Sequence, residues 1–106
     1  MLIEHRSYVL HPGRQTAFLE LMETEGILIE APILGGLVGY YATDIGELNK
    51  VVHLWAYESH GERERRRAIL AADPAWRAFV PKVLPLIRHM RSEILVPASF
   101  SPIPRI

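Results

Sequence analysis

The feature that most constrains this chain is a run of strand-forming residues that is apolar along its whole length. From Val51 to Tyr57 every side chain except that of His53 is aliphatic or aromatic, so residues of both parities are hydrophobic. Successive side chains of a strand point to opposite faces, and a strand that is apolar on both faces is covered on both. The run therefore predicts a strand at 48–58 in a sheet that is covered on each side.

Turn and cap residues divide the rest of the chain into strands at 2–10, 37–43 and 87–96 and two helical regions. The helical spacing of Phe18 and Met22 predicts a first helix, which we expect to bend or tighten at Gly26 and to end at Pro32.

Two cap signals start the second helical region. Ser59 and Glu62 have the spacing of a capping box, and Asp73 followed by Pro74 is typical of a second helix start. We expect Pro81 to limit that last helix.

The order strand, helix, strand, strand, helix, strand predicts an α+β, ferredoxin-like βαββαβ sandwich. Its four-stranded antiparallel sheet has the order last-first-third-second, with both helices on one face. We expect one domain over 1–106, with 97–106 as an extended C-terminal tail. Because the helices leave one apolar face uncovered, the pattern predicts a homodimer that stacks sheet on sheet through the open face.

Composition excludes several classes of function. Twelve basic and twelve acidic residues balance to a net charge of +0, which argues against nucleic acid as a partner. There is no cysteine, so thiol chemistry and thiolate metal sites are excluded and a reducing compartment is favoured. No apolar run approaches the ~20 residues of a membrane span, and the first ten residues do not have the pattern of a signal peptide. We therefore expect a soluble, cytoplasmic protein.

Segments along the whole chain resemble the NIPSNAP family. The matching stretches are 4–8, 11–13, 34–40, 48–57, 71–76, 94–98 and 100–102, of which the run Asn49-Lys50-Val51-Val52-His53-Leu54-Trp55 is the most specific. The resemblance implies a ferredoxin-like fold in the dimeric α+β barrel superfamily, where two sheets enclose a cavity. It implies no function directly, since many bacterial members have no assigned activity and mitochondrial relatives resemble scaffolds more than enzymes. His5 departs from the family, which more often has an aliphatic residue there.

Strand parity predicts a candidate site on the open sheet face. We expect the row of side chains on that face to be Arg6, Tyr8, Tyr41, His53, Trp55, Tyr57, His89, Arg91 and Glu93. In this hypothesis the catalytic residues are His53, Arg6 and Tyr8, with His53 as the proton carrier, Arg6 or Arg91 stabilising an oxyanion and Tyr8 or Tyr57 orienting the substrate. The remaining residues of the row would bind ligand. The alternative is that His53 and Trp55 only pack the dimer interface, with Arg6, Arg91 and Glu93 in salt bridges.

The other groups of residues that could indicate a function are weaker signals. We expect no metal and no cofactor, because the five histidines have no ligand spacing, although His53 and His89 could converge across strands as in a metal or haem site. The Arg-rich run at 62–67 is interpreted as a solvated helix face rather than as an RNA or anion patch.

The sequence thus favours a NIPSNAP-like protein of unassigned activity, a dimer that binds a small apolar or acidic molecule or acts in protein interaction. The alternative is a cofactor-independent enzyme of the monooxygenase, isomerase or cyclase type that uses the barrel cavity.

Overall fold

The protein is described by a computed structural model over residues 1–105; Ile106, the last residue of the predicted tail, lies outside the described residues. The strands in this range are β1 (Leu2–Leu10), β2 (Leu37–Ala42), β3 (Lys50–Tyr57) and β4 (Ile87–Leu95). The α-helices are α1 (Gln15–Leu21), α2 (Ile27–Leu34), α3 (His60–Ala72) and α4 (Pro74–Val83). A π-helical turn, Met22–Gly26, joins α1 to α2, and a 3₁₀ turn, Leu84–Leu86, leads from α4 into β4.

The strands form one antiparallel sheet in the order β2-β3-β1-β4, which confirms the predicted α+β fold and sheet order. The strand that is apolar on both parities, β3, lies in the interior of the sheet beside β1. All four helices pack on one face of this sheet, which we call the covered face. The opposite face is called the open face.

The first helical region is continuous from Gln15 to Leu34 and widens at Gly26 rather than tightening. An α-helix turns about 100° per residue, so Glu30 would lie about 120° away from Phe18 around a regular helix. The π turn takes in one extra residue and reduces that offset to about 20°. Glu30 therefore reaches the covered face, in one buried row with Phe18 and Leu34.

Gly26 is required where this helix meets α4. A Cβ atom at this position would lie 2.6 Å from Cζ of Phe79, closer than real Cβ contacts come. Pro32 and Pro81 lie inside α2 and α4, so the predictions that they end or limit these helices are wrong.

The caps of the second helical region agree with the sequence. The Ser59 hydroxyl accepts a hydrogen bond from the Glu62 amide at 3.1 Å, and the Asp73 carboxylate accepts one from the Trp76 amide at 2.9 Å. Each cap satisfies a backbone N–H that a helix start leaves without a partner.

The covered face carries the core. One cluster of buried side chains packs α1 and α4 on the sheet, and it includes Tyr8, Leu10, Phe18, Met22, Val51, Phe79 and Val83. A second packs α2 and α3 on the other end of the sheet, and it includes Leu2, Leu34, Trp55, Tyr57 and Leu70. β3 thus presents its large aromatic residues to the helices.

The predicted facing of β1 and β3 is wrong. His53, Trp55 and Tyr57, together with Arg6 and Tyr8, lie on the covered face and not on the open face. A strand that is apolar on both parities offers no contrast by which to choose its inner row. The charges of β1 were an equally poor guide, because they are buried as ion pairs.

The open face is only partly covered within one chain. The strand register places there Ile3, His5, Ser7, Val9, Tyr41, Val52, Leu54, Ala56, His89, Arg91, Glu93 and Leu95. The edge strand β4 is exposed at almost every position on both faces. The segment that follows contains a turn, in which the Ser101 amide donates to the Ala98 carbonyl at 2.9 Å, and its apolar residues Val96, Phe100 and Ile103 are exposed by 78%, 91% and 63%.

Candidate functional site

A cavity of about 180 Å³ lies between the covered face and the helices. Phe18, Met22, Trp76, Val80 and Val83 form its apolar wall. Its polar wall is formed by Arg6, Tyr8, Glu30, Tyr40, His53 and Arg67, and the exposed residues Leu84 and Met90 lie at its mouth. An apolar enclosure with a few convergent polar groups is the form that small-molecule sites take.

His53 is the centre of the polar wall. Its side chain is 1% exposed, stacks on the Tyr40 ring at 4.5 Å, and lies edge-on to Tyr8 at 4.9 Å. Trp55 Nε1–H donates to His53 Nδ1 at 2.7 Å. Because Nδ1 is an acceptor, the neutral ring carries its proton on Nε2.

Nε2 of His53 is buried and has no hydrogen-bond partner in the chain. Burial, together with the charges of Arg6 and Arg67, lowers the pKa of His53 to about 3. The imidazole is therefore neutral at physiological pH and offers the cavity one N–H donor.

Glu30 of α2 points towards the covered face, where it lines the same cavity as His53. Its side chain is 4% exposed and its Oε1 has no hydrogen-bond partner. Burial raises the pKa of Glu30 to about 7, although the charges of Arg67 and Arg6 oppose the rise. A constant helical period would leave Glu30 about 120° from Phe18, and only the π turn brings it to the covered face.

A buried ion cluster adjoins the cavity; we call Glu4, Arg6, Arg63 and Ser92 the Glu4 cluster. Glu4 is 0% exposed and accepts hydrogen bonds from Arg6 at 2.9 Å, Arg63 at 2.8 Å and Ser92 at 2.7 Å. Burial alone would raise the pKa of Glu4, but these bonds and the charges of Arg67 and Arg6 lower it to about 2. The cluster ties β1 to α3 and β4.

Arg6 links the cluster to the cavity, because its Nε donates to the Tyr8 hydroxyl at 2.9 Å. Tyr40 Oη and Arg67 Nη1 are buried without partners on the same cavity wall. Burial raises the pKa of Tyr40, so its hydroxyl stays protonated.

The Arg-rich run of α3 is not simply solvated. Arg65 is exposed and bonds Glu62 at 2.7 Å, as expected of a surface pair. Arg63 and Arg67 instead reach inward, and Arg66 donates to the carbonyls of Ile33 and Leu34 at 3.2 Å. Their i, i+4 spacing is the one signal that could have grouped Arg63 and Arg67 on an inner face.

The structure divides the predicted row of site residues between the two faces. Arg6, Tyr8 and His53 come together at the cavity, and Trp55 supports His53 from behind. Tyr57 is buried farther along the covered face. The other predicted ligand-binding residues lie on the open face, away from this cavity: Tyr41, His89, Arg91 and Glu93.

Arg91 and Glu93 form an exposed pair at 3.3 Å. His5 lies opposite Glu93 on the open face. The sequence did not single out Glu4, Glu30, Tyr40 or Arg67 as site residues.

Within residues 1–105, no three His, Asp or Glu side chains converge in a way that could hold a metal ion. Over the same part of the chain, no helix is both long and apolar enough to cross a membrane.

Comparison with known proteins decides the family. The family model for NIPSNAP matches residues 3–102. The chain belongs to the NIPSNAP family. NipSnap homolog 3A of Homo sapiens is 39% identical over 98 residues, which are 89% of this chain and 39% of that protein. This NIPSNAP chain thus spans well under half the length of that curated relative.

Solved structures agree. A protein from Agrobacterium tumefaciens is 46% identical, with a TM-score of 0.95 over 97% of this chain and 99% of the other. A second structure of this Agrobacterium tumefaciens protein, a NIPSNAP family protein with unknown function, has a TM-score of 0.94. A putative antibiotic biosynthesis monooxygenase from Nitrosomonas europaea has a TM-score of 0.68 at 10% identity, covering 92% and 98% of the two chains. That likeness shows the ferredoxin-like fold alone. The NIPSNAP family itself has no assigned activity.

Proposed function

We propose that this NIPSNAP chain is a small-molecule-binding protein whose ligand site is the cavity between the helices and the covered face. Four buried polar atoms without partners converge on this one cavity: Glu30 Oε1, Tyr40 Oη, His53 Nε2 and Arg67 Nη1. Leaving a buried polar group unsatisfied costs about 1–3 kcal/mol. A bound molecule would supply the missing hydrogen-bond partners and remove this cost. The convergence of the four atoms on one cavity is the observation that carries the proposal.

The test is to fill the cavity without touching its polar wall. Val83→Phe places a phenyl ring in the cavity, whereas Ala78→Phe adds one on the exposed side of the same helix. A mixed fragment set of acids, bases and neutral compounds is screened by saturation-transfer NMR against the wild type and both variants. Hits are expected on the wild type and Ala78→Phe and lost on Val83→Phe.

Circular dichroism checks that the filled variant folds, and Val80→Phe repeats the test from the next turn of α4. If the wild type binds no fragment, or if both filled variants bind as well as the wild type does, the cavity is not a ligand site.

We further propose that the chain pairs as a homodimer through the open face. Leu54, Leu95 and Tyr41 leave apolar surface there, and Leu95 and Tyr41 are 44% and 55% exposed. The face also carries one cation and one anion two residues apart, Arg91 and Glu93, a pattern that can complement itself about a two-fold axis. Exposed apolar patches of this kind favour a partner surface.

Light scattering tests the pairing. Leu54→Glu, in the middle of the open face, is expected to yield monomers, whereas Ile45→Glu, in a loop where Ile45 is 93% exposed, should leave the dimer intact. If the wild type is monomeric at an assay concentration of about 100 µM, the proposed homodimer is refuted.

A cofactor-independent enzyme is the second candidate, and one arrangement favours it. Burial raises the pKa of Glu30 to about 7, and Glu30 lines the same cavity as the N–H donor of His53. Such a pair suits proton abstraction next to a carbonyl. The C–H bond would break, its proton would pass to Glu30, and its electron pair would form an enolate whose oxygen faces His53 and Arg67. In this version Glu30 is the proton carrier and His53 the oxyanion donor.

An exchange assay separates enzyme from binder. Incorporation of deuterium at C3 of 2-oxobutanoate in D₂O is followed by NMR, with wild type, Glu30→Gln and the exposed control Glu20→Gln. Exchange above the buffer rate with wild type and Glu20→Gln but not with Glu30→Gln would support the enzyme. Equal rates in all samples would leave binding as the function.

We propose that the protein acts in the cytoplasm, without a cofactor and without a nucleic acid partner. The absence of cysteine is compatible with a reducing compartment, and the balanced charge gives no field that would attract nucleic acid.

A further inference from the structure

The polar wall of the cavity carries more positive than negative charge. It is lined by the guanidinium groups of Arg6 and Arg67 and by the carboxyl of Glu30, and Arg6 is also paired with the buried carboxylate of Glu4. His53 adds no charge, because it is neutral. With Glu4 counted, these groups carry one net positive charge while Glu30 is protonated and none when it is ionised, and burying a charge without a counter-ion is costly.

Hydrogen-bond donors also outnumber acceptors. Arg67 Nη1, His53 Nε2–H and the Tyr40 hydroxyl all lack partners on the cavity wall. The unpartnered acceptors are Glu30 Oε1 and the oxygen of the same Tyr40 hydroxyl, and a protonated Glu30 carboxyl is itself a donor. A ligand that satisfies this wall must therefore bring acceptor oxygens.

Size and the apolar wall limit the rest of the ligand. The volume of about 180 Å³ equals about six water molecules at ~30 Å³ each. It lies below the ~300–1,000 Å³ of drug-sized sites. Phe18 and Trp76 offer flat ring surfaces, so a compact planar body fits the wall opposite the polar groups.

We propose that the cavity binds a planar monoanionic carboxylic acid of about the size of benzoate; this inference rests on the ligand site proposed above. Its carboxylate is held by Arg67, His53 Nε2–H and the Tyr40 hydroxyl, and its apolar body lies against Phe18 and Trp76. The arginine supplies the charge recognition, because a guanidinium matches the geometry of a carboxylate.

Binding of such an anion is coupled to the protonation of Glu30. The groups that face Glu30 are Arg6, Glu4 and Tyr8 of β1, Tyr40 of β2, His53 of β3 and Arg67 of α3; the cavity residues of α4 carry no charge. With its pKa at about 7, Glu30 is mostly neutral at pH 6 and mostly ionised at pH 8. An ionised Glu30 repels the ligand, so affinity falls as pH rises through 7, by up to about ten-fold between pH 6 and 8.

The experiment compares benzoate with benzamide, its uncharged isostere, in NMR titrations of the full chain at pH 6 and pH 8. We expect benzoate to bind at least ten-fold more tightly than benzamide at pH 6. Arg67→Met keeps much of the apolar stem and should reduce that preference to less than three-fold. Glu30→Gln keeps the shape of the neutral carboxyl, and should bind benzoate equally well at both pH values.

Each of the other outcomes refutes a different part of the two proposals, the ligand class or the ligand site. Benzamide binding as tightly as benzoate, or a preference that survives Arg67→Met, refutes the anionic ligand class while the ligand site stands. Binding of neither probe refutes the benzoate-sized acid, and the fragment screen then decides the site by itself. Binding that persists unchanged in Val83→Phe places the probe outside the cavity and refutes both proposals.

Discussion

On the covered face of the sheet, Glu4 and His53 lie buried and Arg6 half-buried under the helices, whereas on the open face Leu54, Leu95 and Tyr41 are left partly or largely exposed. The usual distribution of polar and apolar side chains is thus partly reversed between the two faces. Buried polar groups cost free energy unless they are paired, and exposed apolar area attracts a partner. The proposed ligand site therefore lies inside each chain, while the proposed surface for assembly lies outside it.

The largest expected effect contrasts one ion pair from each face. Glu4→Gln removes a fully buried carboxylate and leaves the half-buried guanidinium groups of Arg6 and Arg63 without it, which should destabilise the fold by about 3–5 kcal/mol in urea unfolding. Glu93→Gln breaks an exposed pair with Arg91 and should cost less than about 1 kcal/mol.

The pH dependence sharpens the same contrast. The pKa of Glu4 is lowered from 4.5 to about 2, so its contribution is present above pH 4.5 and is lost as pH falls towards 2. Glu4→Gln should lack that loss of stability in acid. Equal costs for Glu4→Gln and Glu93→Gln at pH 7 would contradict a structural role for the Glu4 cluster.

The second effect is of opposite sign and belongs to Glu30. Its folded pKa of about 7 lies above the reference value of 4.5, so its contribution is full below pH 4.5 and is lost as pH rises through 7. At pH 8 Glu30→Gln should therefore be more stable than the wild type by up to about 3 kcal/mol.

Chemical unfolding between pH 5 and 8 measures the effect of Glu30→Gln, with the exposed Glu20→Gln as the control. A Glu30→Gln protein that is less stable than the wild type at pH 8 would mean that the carboxylate is well paired in the fold. Greater stability would fit a residue kept for function at a cost to the fold.

The sequence was sufficient for the elements and their order, because caps, turns and apolar runs are local signals. Ser59 and Asp73 cap the helices as predicted, and β1 has its predicted bounds. The site was only partly predictable. Arg6, Tyr8 and His53 do meet, but on the covered face, since the parity of β3 carried no contrast.

Glu30 could not be found by the same reasoning, and Arg67 only through its i, i+4 spacing from Arg63. A π turn rotates Glu30 into the cavity, and a change of helical register is not visible in a pattern that assumes a constant 3.6-residue period. Arg67 belongs to a run of charges that looks solvated when its members are taken together. Buried polar groups at a candidate functional site are where pattern reasoning is expected to fail.

The smallest expected effect compares adjacent tyrosines of β2 that point to opposite faces. Tyr40 stacks on His53 with its hydroxyl buried and unpartnered, while Tyr41 is 55% exposed on the open face. Tyr40→Phe removes an unsatisfied hydroxyl and should raise the free energy of unfolding by about 1 kcal/mol, whereas Tyr41→Phe should change it by less than about 0.5 kcal/mol.

The same pair separates function from stability. Tyr40→Phe should bind benzoate more weakly than the wild type, because it loses one of three donors to the carboxylate, and Tyr41→Phe should bind it equally well. If Tyr40→Phe is destabilising, the hydroxyl has a partner within the fold. Its proposed role as a donor to ligand would then lose its basis, whereas a more stable variant with weaker binding would show that this hydroxyl serves the ligand and not the fold.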